Sequence, residues 1–250
     1  MNGPNNNIGW TDYTINPISG CLHDCTFGPD KTPCYAFVIA ERFRGSKAFP
    51  NGFEPTFHPS RLKELRKVKV PARIFVCSMA DFFGGWVERA HQDAVLAAMA
   101  DAPWHTYQLL TKAPWNVAKL GVRFAPNVWV GATITGELAN EDTRMACVRA
   151  YPAAVRFVSV EPLCGPVDLE PARPDWIIIG AATGKGAFQP KREWVERVID
   201  YANRAGVPVY VKDNLEASMR AWGLPVTHDF PAGHTKTYVP VVPPELPLFA

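Results

Sequence analysis

The chain has 250 residues, 47% apolar and 20% charged, so it can bury a sizeable core and is not a disordered chain. Its 26 basic and 24 acidic side chains leave a net charge of +2, which excludes a strongly basic nucleic-acid clamp but leaves local patches open. No apolar run reaches the roughly 18–20 residues of a membrane span, and the start, MNGPNNNIGW, has neither the basic nor the apolar stretch of a secretion signal. The expectation is a cytoplasmic protein with no membrane partner.

In chain order, a short first strand is expected near Thr11–Ile15. A cysteine-bearing loop follows, and a helix is expected to start just after Cys34 (CYAFVIAERF). Six short apolar runs come next: Arg73–Met79, Thr106–Thr111, Asn127–Ile134, Val155–Glu161, Asp175–Ala181 and Val207–Lys212. Their near-continuous apolarity suits parallel strands covered on both faces. Between them, Trp86–Ala100, Glu137–Ala150 and Lys191–Ala205 read as helices. The first has Trp86, Ala90, Ala94 and Ala98 along one face, and the last stops at Gly206. Strands alternating with helices imply a parallel sheet with right-handed crossovers. Seven strands predict an α/β fold: a parallel βα barrel, partial or complete like a TIM barrel, as a single domain over residues 1–239. A Pro-rich, extended tail, PVVPPELPLFA, follows at 240–250.

In such a barrel the chemistry collects at the C-terminal strand ends. Here those ends are polar: Ser78 and Asp81, Gln108, Thr111 and Lys112, Thr133, Ser159 and Glu161, Thr183, then Lys212 and Asp213. Alternation puts Val155, Phe157, Ser159 and Glu161 on one face, Thr106, Gln108, Leu110 and Lys112 on another, and Ile74, Val76 and Ser78 on a third. Turned inward, the apolar members fill the barrel and the polar members rim its mouth. Any single one reads equally well as a strand giving way to a loop; the whole series does not. Glu161 is costly to bury without a ligand or a cation, and Lys112 is the candidate cation.

Six cysteines divide into two groups. Cys77, Cys147 and Cys164 sit in apolar segments and read as packing. Cys21, Cys25 and Cys34 fall within fourteen residues as C-x3-C-x8-C. Without a secretion signal, clustered cysteines point to metal or redox chemistry rather than to disulfides. Three thiolates on one loop can hold a polynuclear iron–sulfur cluster with one iron left open. A structural zinc on the three cysteines plus His23 is the rival, although His23 sits tightly between Cys21 and Cys25. Unliganded thiols are the third reading.

The cysteine loop, the helix beginning Cys-Tyr-Ala and the βα barrel after it resemble the radical S-adenosylmethionine superfamily. Within it, the chain is similar to a phage-associated three-cysteine branch distantly related to spore photoproduct lyase. The stretches that carry the resemblance are IGWTDYTINPISGC at 8–21, CYAFVIAERF at 34–43, FHPSRL at 57–62, IFVCSMADFF at 74–83, HTYQLLTKAP at 105–114, PNVWVGATI at 126–134, RFVSVEPLCGPV at 156–167 and DWIIIGAATG at 175–184. The resemblance implies a [4Fe–4S] cluster on Cys21, Cys25 and Cys34, with S-adenosylmethionine on the fourth iron. Reductive cleavage would give a 5′-deoxyadenosyl radical that abstracts hydrogen from substrate. It also implies that the Ser78–Asp81 segment faces the cofactor's methionine amino group. Thr133 and Ser159 would lie near its ribose and carboxylate, and Lys112 and Glu161 would serve as catalytic groups. One departure stands out. The superfamily's usual loop is C-x3-C-x2-C with an aromatic before the last cysteine, whereas here the second gap is eight and Pro33 precedes Cys34. Gly28-Pro29-Asp30 favours a hairpin turn that would bring Cys34 back.

By the same resemblance the substrate is a nucleobase in DNA. One form is a hypermodified thymine whose amino-acid substituent is isomerised from nitrogen to carbon linkage, helping phage DNA evade restriction. A reductant protein of the host would supply electrons. Arg61, Lys63, Arg66, Lys67, Lys69 and Arg73 form a basic run that can meet phosphates or simply face solvent. The alternatives are radical chemistry on a free metabolite or peptide, and a non-catalytic, zinc-stabilised barrel acting as a binding module.

Overall fold

The computed structural model describes residues 1–3, 8–184 and 187–232, so the tail expected at 240–250 lies outside the described residues. The elements run β1 (Tyr13–Ile15), β2 (Ile18–Ser19), β3 (Thr26–Phe27), β4 (Thr32–Pro33), α1 (Tyr35–Arg42), β5 (Thr56–Phe57), α2 (Pro59–Leu62), β6 (Arg73–Val76), α3 (Arg89–Ala100), β7 (Thr106–Thr111), α4 (Trp115–Lys119), β8 (Val128–Thr133), α5 (Glu141–Arg149), β9 (Val155–Val160), β10 (Trp176–Ile179), α6 (Arg192–Ala205), β11 (Val209–Val211) and α7 (Asp213–Ala221). Seven strands make one sheet in the order β1-β6-β7-β8-β9-β10-β11. Every neighbouring pair is parallel. The ends β1 and β11 do not pair with each other, so the sheet is a curled, open partial barrel with helices outside it. Short antiparallel bridges shield both edges, Asn2 with Thr14 and His228 with Tyr210.

The expected strands are present and mostly shorter. The run Arg73–Met79 leaves the sheet after Val76, because Cys77 takes φ 66°, a left-handed conformation that turns the chain away. The helix expected from Trp86 begins at Arg89, and the one expected from Glu137 begins at Glu141, after a left-handed Asn140. The last long helix ends where expected, at Gly206 with φ 66°.

Alternation along the strands builds two cores. Ile74, Val76, Leu109, Val130, Val158, Ile177 and Val211 face outward and pack on Val95, Met99, Val148, Val195, Val198 and Leu215 of the helices. Phe75, Trp129, Phe157, Trp176, Ile178 and Tyr210 face inward and close on Trp10. The inward faces expected for β7 and β9 are correct, since Leu110 and Phe157 belong to the inner group. The face expected for β6 is reversed: Ile74 and Val76 meet helices and Phe75 points inside. The kink at Cys77 is also why Ser78 does not continue the alternation.

The aromatic groups plug the N-terminal half of the interior. Trp10 lies 4.7 Å from Phe75 and 6.2 Å from Trp176, and Trp129 and Phe157 stand 5.6 and 5.7 Å from Trp176. Gly131 makes this possible, because a Cβ there would sit 2.6 Å from the Phe157 ring.

Apart from Arg61, the basic run does not frame the mouth. Arg61 donates to the carbonyls of Asn16 and Ala48. Arg73 is buried and paired with Asp12 at 2.9 Å. Lys63, Arg66, Lys67 and Lys69 are exposed, but they precede β6 and so approach the opposite, N-terminal end of the sheet. Among the described residues, no helix is long and apolar enough to cross a membrane.

Candidate functional site

The cysteine loop is laid over the C-terminal end of β6. Gly20 bridges to Ala80 and donates to the Met79 carbonyl at 2.9 Å. The long gap between Cys25 and Cys34 folds as a hairpin: Thr26 pairs with Pro33 and Phe27 with Thr32, and Lys31 N–H closes the turn on Gly28 O. Cys34 N–H then donates to Cys25 O at 3.0 Å. The inserted residues thus return Cys34 to Cys25, as the turn residues led us to expect. None of the three cysteines is in a disulfide. Burial pushes the Cys21 thiol up to about 12 and raises Cys25 too; the Asp81 carboxylate adds to both shifts and Lys112 opposes it. A metal held by these thiols would have to displace their protons.

His23, in the same loop, is already engaged. Its Nε2 lies 2.7 Å from Asp81 Oδ2, and its ring stands edge-on to Trp86 at 4.9 Å. Asp81 is 4% exposed and also accepts from Thr111 Oγ1, Lys112 N–H and Phe83 N–H. Burial alone would raise its carboxyl. The His23 hydrogen bond and charge, with the Lys112 and Thr111 donors, outweigh burial and hold it below its ordinary value. Asp81 therefore braces the cysteine loop, and a cofactor donor would have to displace one of these partners. The Cys3His zinc set loses His23 Nε2 to the same contact. Among the described residues, only Asp213, Glu216 and His228 gather three ligand atoms within 4.8 Å of one another. Cys21, Cys25 and Cys34 are therefore not all within that distance of one another, whereas thiolates around one zinc with Zn–S near 2.3 Å would stand about 3.8 Å apart. Three unbridged thiols are the donor chemistry of an iron–sulfur cluster.

The rest of the rim comes from the strand ends. Ser78 is half-buried and hydrogen-bonds to Asn16, while the Tyr35 hydroxyl donates to Ser78 O at 2.6 Å. Thr133 and Ser159 are register partners on β8 and β9, buried side by side just inside the mouth. Glu161 does not pair with Lys112. Its partner is Lys212, at the end of β11, with both side chains at most 20% exposed. Lys112 instead holds its ammonium 5.7 Å from the centre of the Phe27 ring in the hairpin. The reason is Gly180 at the end of β10. Lacking a side chain, it lets the Lys212 stem lie over it, and a Cβ there would stand 3.0 Å from Lys212 Cδ.

Residues 5–222 match the family described as "Protein of unknown function (DUF5131)". The chain belongs to that family. No curated protein matches this DUF5131 member. Among solved structures it is similar to a spore photoproduct lyase carrying a cysteine-to-serine mutation, with TM-score 0.51 and 13% identity over 80% of this chain and 77% of that one. A lyase complexed with dinucleoside spore photoproduct gives TM-score 0.49 and 12% identity over 80% and 77%. A double mutant with bound AdoMet and the dinucleoside gives 0.42 and 13% over 61% of this chain and 46% of that one. The first likeness shows a shared fold.

Several rim residues of the DUF5131 protein escaped the sequence reading. Asn16 ties Ser78 and Met79 to the end of β1. Asn214 brackets Ala181 through both its amide atoms. Arg144 donates to the Lys112 carbonyl and Ala139 O, with its guanidinium 4.9 Å from the Trp115 ring. These sit in loops or helix turns where no periodicity marks them. Tyr35 and Asn16 carried a signal only as members of resemblance stretches, the Cys-Tyr-Ala helix start and IGWTDYTINPISGC.

Proposed function

We propose that this DUF5131 protein is a radical S-adenosylmethionine enzyme acting on a nucleobase, with DNA as the carrier. The observation that carries the reading is the hairpin that returns Cys34 to Cys25, leaving three unbridged thiols at the open end of a partial barrel. The ordered motif resemblance and the fold shared with spore photoproduct lyase support it. Cys21, Cys25 and Cys34 would hold a [4Fe–4S] cluster, which when bound would supply the electron for reductive cleavage of S-adenosylmethionine.

The chain's own residues bind, orient and exclude water. The aromatic plug around Trp10 and Trp176 fills the interior from below, which would keep water from reaching a bound cofactor from that end. The Thr133 and Ser159 hydroxyls offer donors and acceptors for a ribose or carboxylate on the inner wall. Ser78, held by Asn16, presents its hydroxyl beside the cysteine loop. The Glu161–Lys212 pair places one acceptor and one donor side by side, with a net charge near zero, which suits an uncharged polar ring better than a free phosphate. Lys112, drawn to Phe27, serves the hairpin rather than Glu161.

The narrower form of the proposal is isomerisation of an amino-acid substituent on a hypermodified thymine, which would help phage DNA evade restriction. The deciding experiment is anaerobic cluster reconstitution followed by an assay for 5′-deoxyadenosine and mass analysis of nucleosides from DNA incubated with the reduced enzyme. Release of 5′-deoxyadenosine with a mass-neutral change in a modified thymidine supports the narrow form, and a mass change on another base supports only the broad one. Full zinc occupancy with no cleavage under any reductant would leave a binding module.

A further inference from the structure

The tip of the cysteine hairpin is buried although its neighbours are not: Gly28 is covered while Pro29, Asp30 and Lys31 are exposed. What covers it comes from the far side of the mouth. Gly28 N–H donates to Glu137 Oε1 at 2.9 Å, and the Phe188 side chain lies so close that a Cβ on Gly28 would stand 3.2 Å from it. Cys164 sits near the same pair: burial raises its thiol, the Glu137 carboxylate adds to the shift and the Gly28 backbone opposes it. The hairpin is rooted beside β6 at Gly20–Ala80, and its tip ends on the loops that follow β8, β9 and β10. It therefore crosses the mouth.

The receiving surface is built to stay in place. Glu141 accepts from the N–H groups of Thr135, Gly136 and Leu138 at 2.8, 2.8 and 3.2 Å, which fixes the loop that presents Glu137. Gly136, at φ 82°, lies against the backbone of Gly165, where a Cβ would come within 2.3 Å of the Gly165 carbonyl. That close approach brings Cys164 beside Glu137. A hydrogen bond from a backbone N–H to a carboxylate is among the stronger kinds, and here it joins segments 109 residues apart.

We propose that Glu137 is a positioning residue for the cysteine site: it pins the hairpin tip to the far rim, and Cys25 and Cys34 hold their places only while that pin is made. The inference rests on the proposed function only for what the thiols hold; the pin itself is a property of the metal-free chain. The eight-residue gap between the cysteines is then the reach needed to cross the mouth.

The test uses the full chain, Glu137→Ala and Glu137→Gln. Hydrogen exchange on the metal-free proteins should show amides of residues 26–34 exchanging about ten-fold faster in Glu137→Ala, with β7 and β9 unchanged. Glu137→Gln keeps an oxygen that can accept from Gly28 and should stay within about three-fold of wild type. After reconstitution, the reduced-cluster resonance of Glu137→Ala should split into more than one species, while that of Glu137→Gln remains single. Wild-type exchange in Glu137→Ala, or Glu137→Gln as loose as Glu137→Ala, would overturn the pin. A wild-type chain that takes up no iron, with the loosening still specific to Glu137→Ala, would support the pin and remove the cluster reading.

Discussion

The two ends of the barrel interior use the same strands for opposite purposes. Toward the N-terminal end, Trp10, Trp129, Phe157 and Trp176 pack edge-on or tilted against one another and are at most 2% exposed. Two to four residues further along, β8 and β9 present Thr133 and Ser159 from the same inner face, and beyond them Glu161 meets Lys212. Apolar packing and polar side chains are thereby separated along each strand rather than shared between strands. Substitutions at the bottom should cost folding, and substitutions at the mouth should cost ligand binding.

The sharpest break of that comparison is Trp176→Ala. It should lower unfolding stability by about 3–5 kcal/mol, read from the denaturant midpoint, with iron uptake per folded chain unchanged. Next comes the ion pair. Lys212→Met leaves Glu161 half-sheltered without its partner and should cost about 3 kcal/mol, the low end for a buried pair because both groups keep some exposure. Lys112→Met should cost under about 1 kcal/mol, since its ammonium only approaches the Phe27 ring. The reverse ranking in thermal unfolding would restore Lys112 as the partner of Glu161. At the mouth, Thr133→Val and Ser159→Ala should change stability by no more than about 1 kcal/mol while weakening S-adenosylmethionine binding about ten-fold, measured by calorimetry on reconstituted protein.

Acid should act in two windows. Burial, with the Arg61 charge, pushes His58 from 6.5 down to about 4. Between those values the unfolded chain binds more protons, so stability falls as pH falls from about 6.5 toward 4, and His58→Gln should flatten that limb. The Asp81 carboxyl is held below its ordinary 3.8. Its contribution is intact above that value and is lost as pH falls through the lower, folded one, so Asp81→Asn should remove only this more acid limb. Identical pH profiles for both variants and wild type would contradict these assignments.

The seven strands were legible because buried parallel strands leave apolar runs that need no partner to be recognised, and Gly206 marked its helix end through the left-handed cap. The face of β6 was not legible: alternation assumes a regular strand, and Cys77 leaves it at φ 66°. The hairpin was legible from Gly28-Pro29-Asp30, yet its landing point was not. Glu137 and Cys164 carry no spacing signal, and their loops come together where Gly136 packs on Gly165 and Thr135 O accepts from Cys164 and Gly165. Glu161 shows the same limit. Lys112 on β7 and Lys212 on β11 each lie two strands from β9, so alternation ranks them equally; the choice is made by Gly180, a residue with no side chain to read.

The central claim is that the three hairpin thiols hold an iron–sulfur cluster. Its most direct test is iron and sulfide per chain after anaerobic reconstitution, in wild type and in Cys21→Ala, Cys25→Ala, Cys34→Ala and Cys77→Ala. The account predicts about four of each in wild type, the same in Cys77→Ala, and almost none in the other three. One zinc per wild-type chain in place of iron and sulfide, or a Cys77→Ala variant as empty as Cys34→Ala, would contradict it.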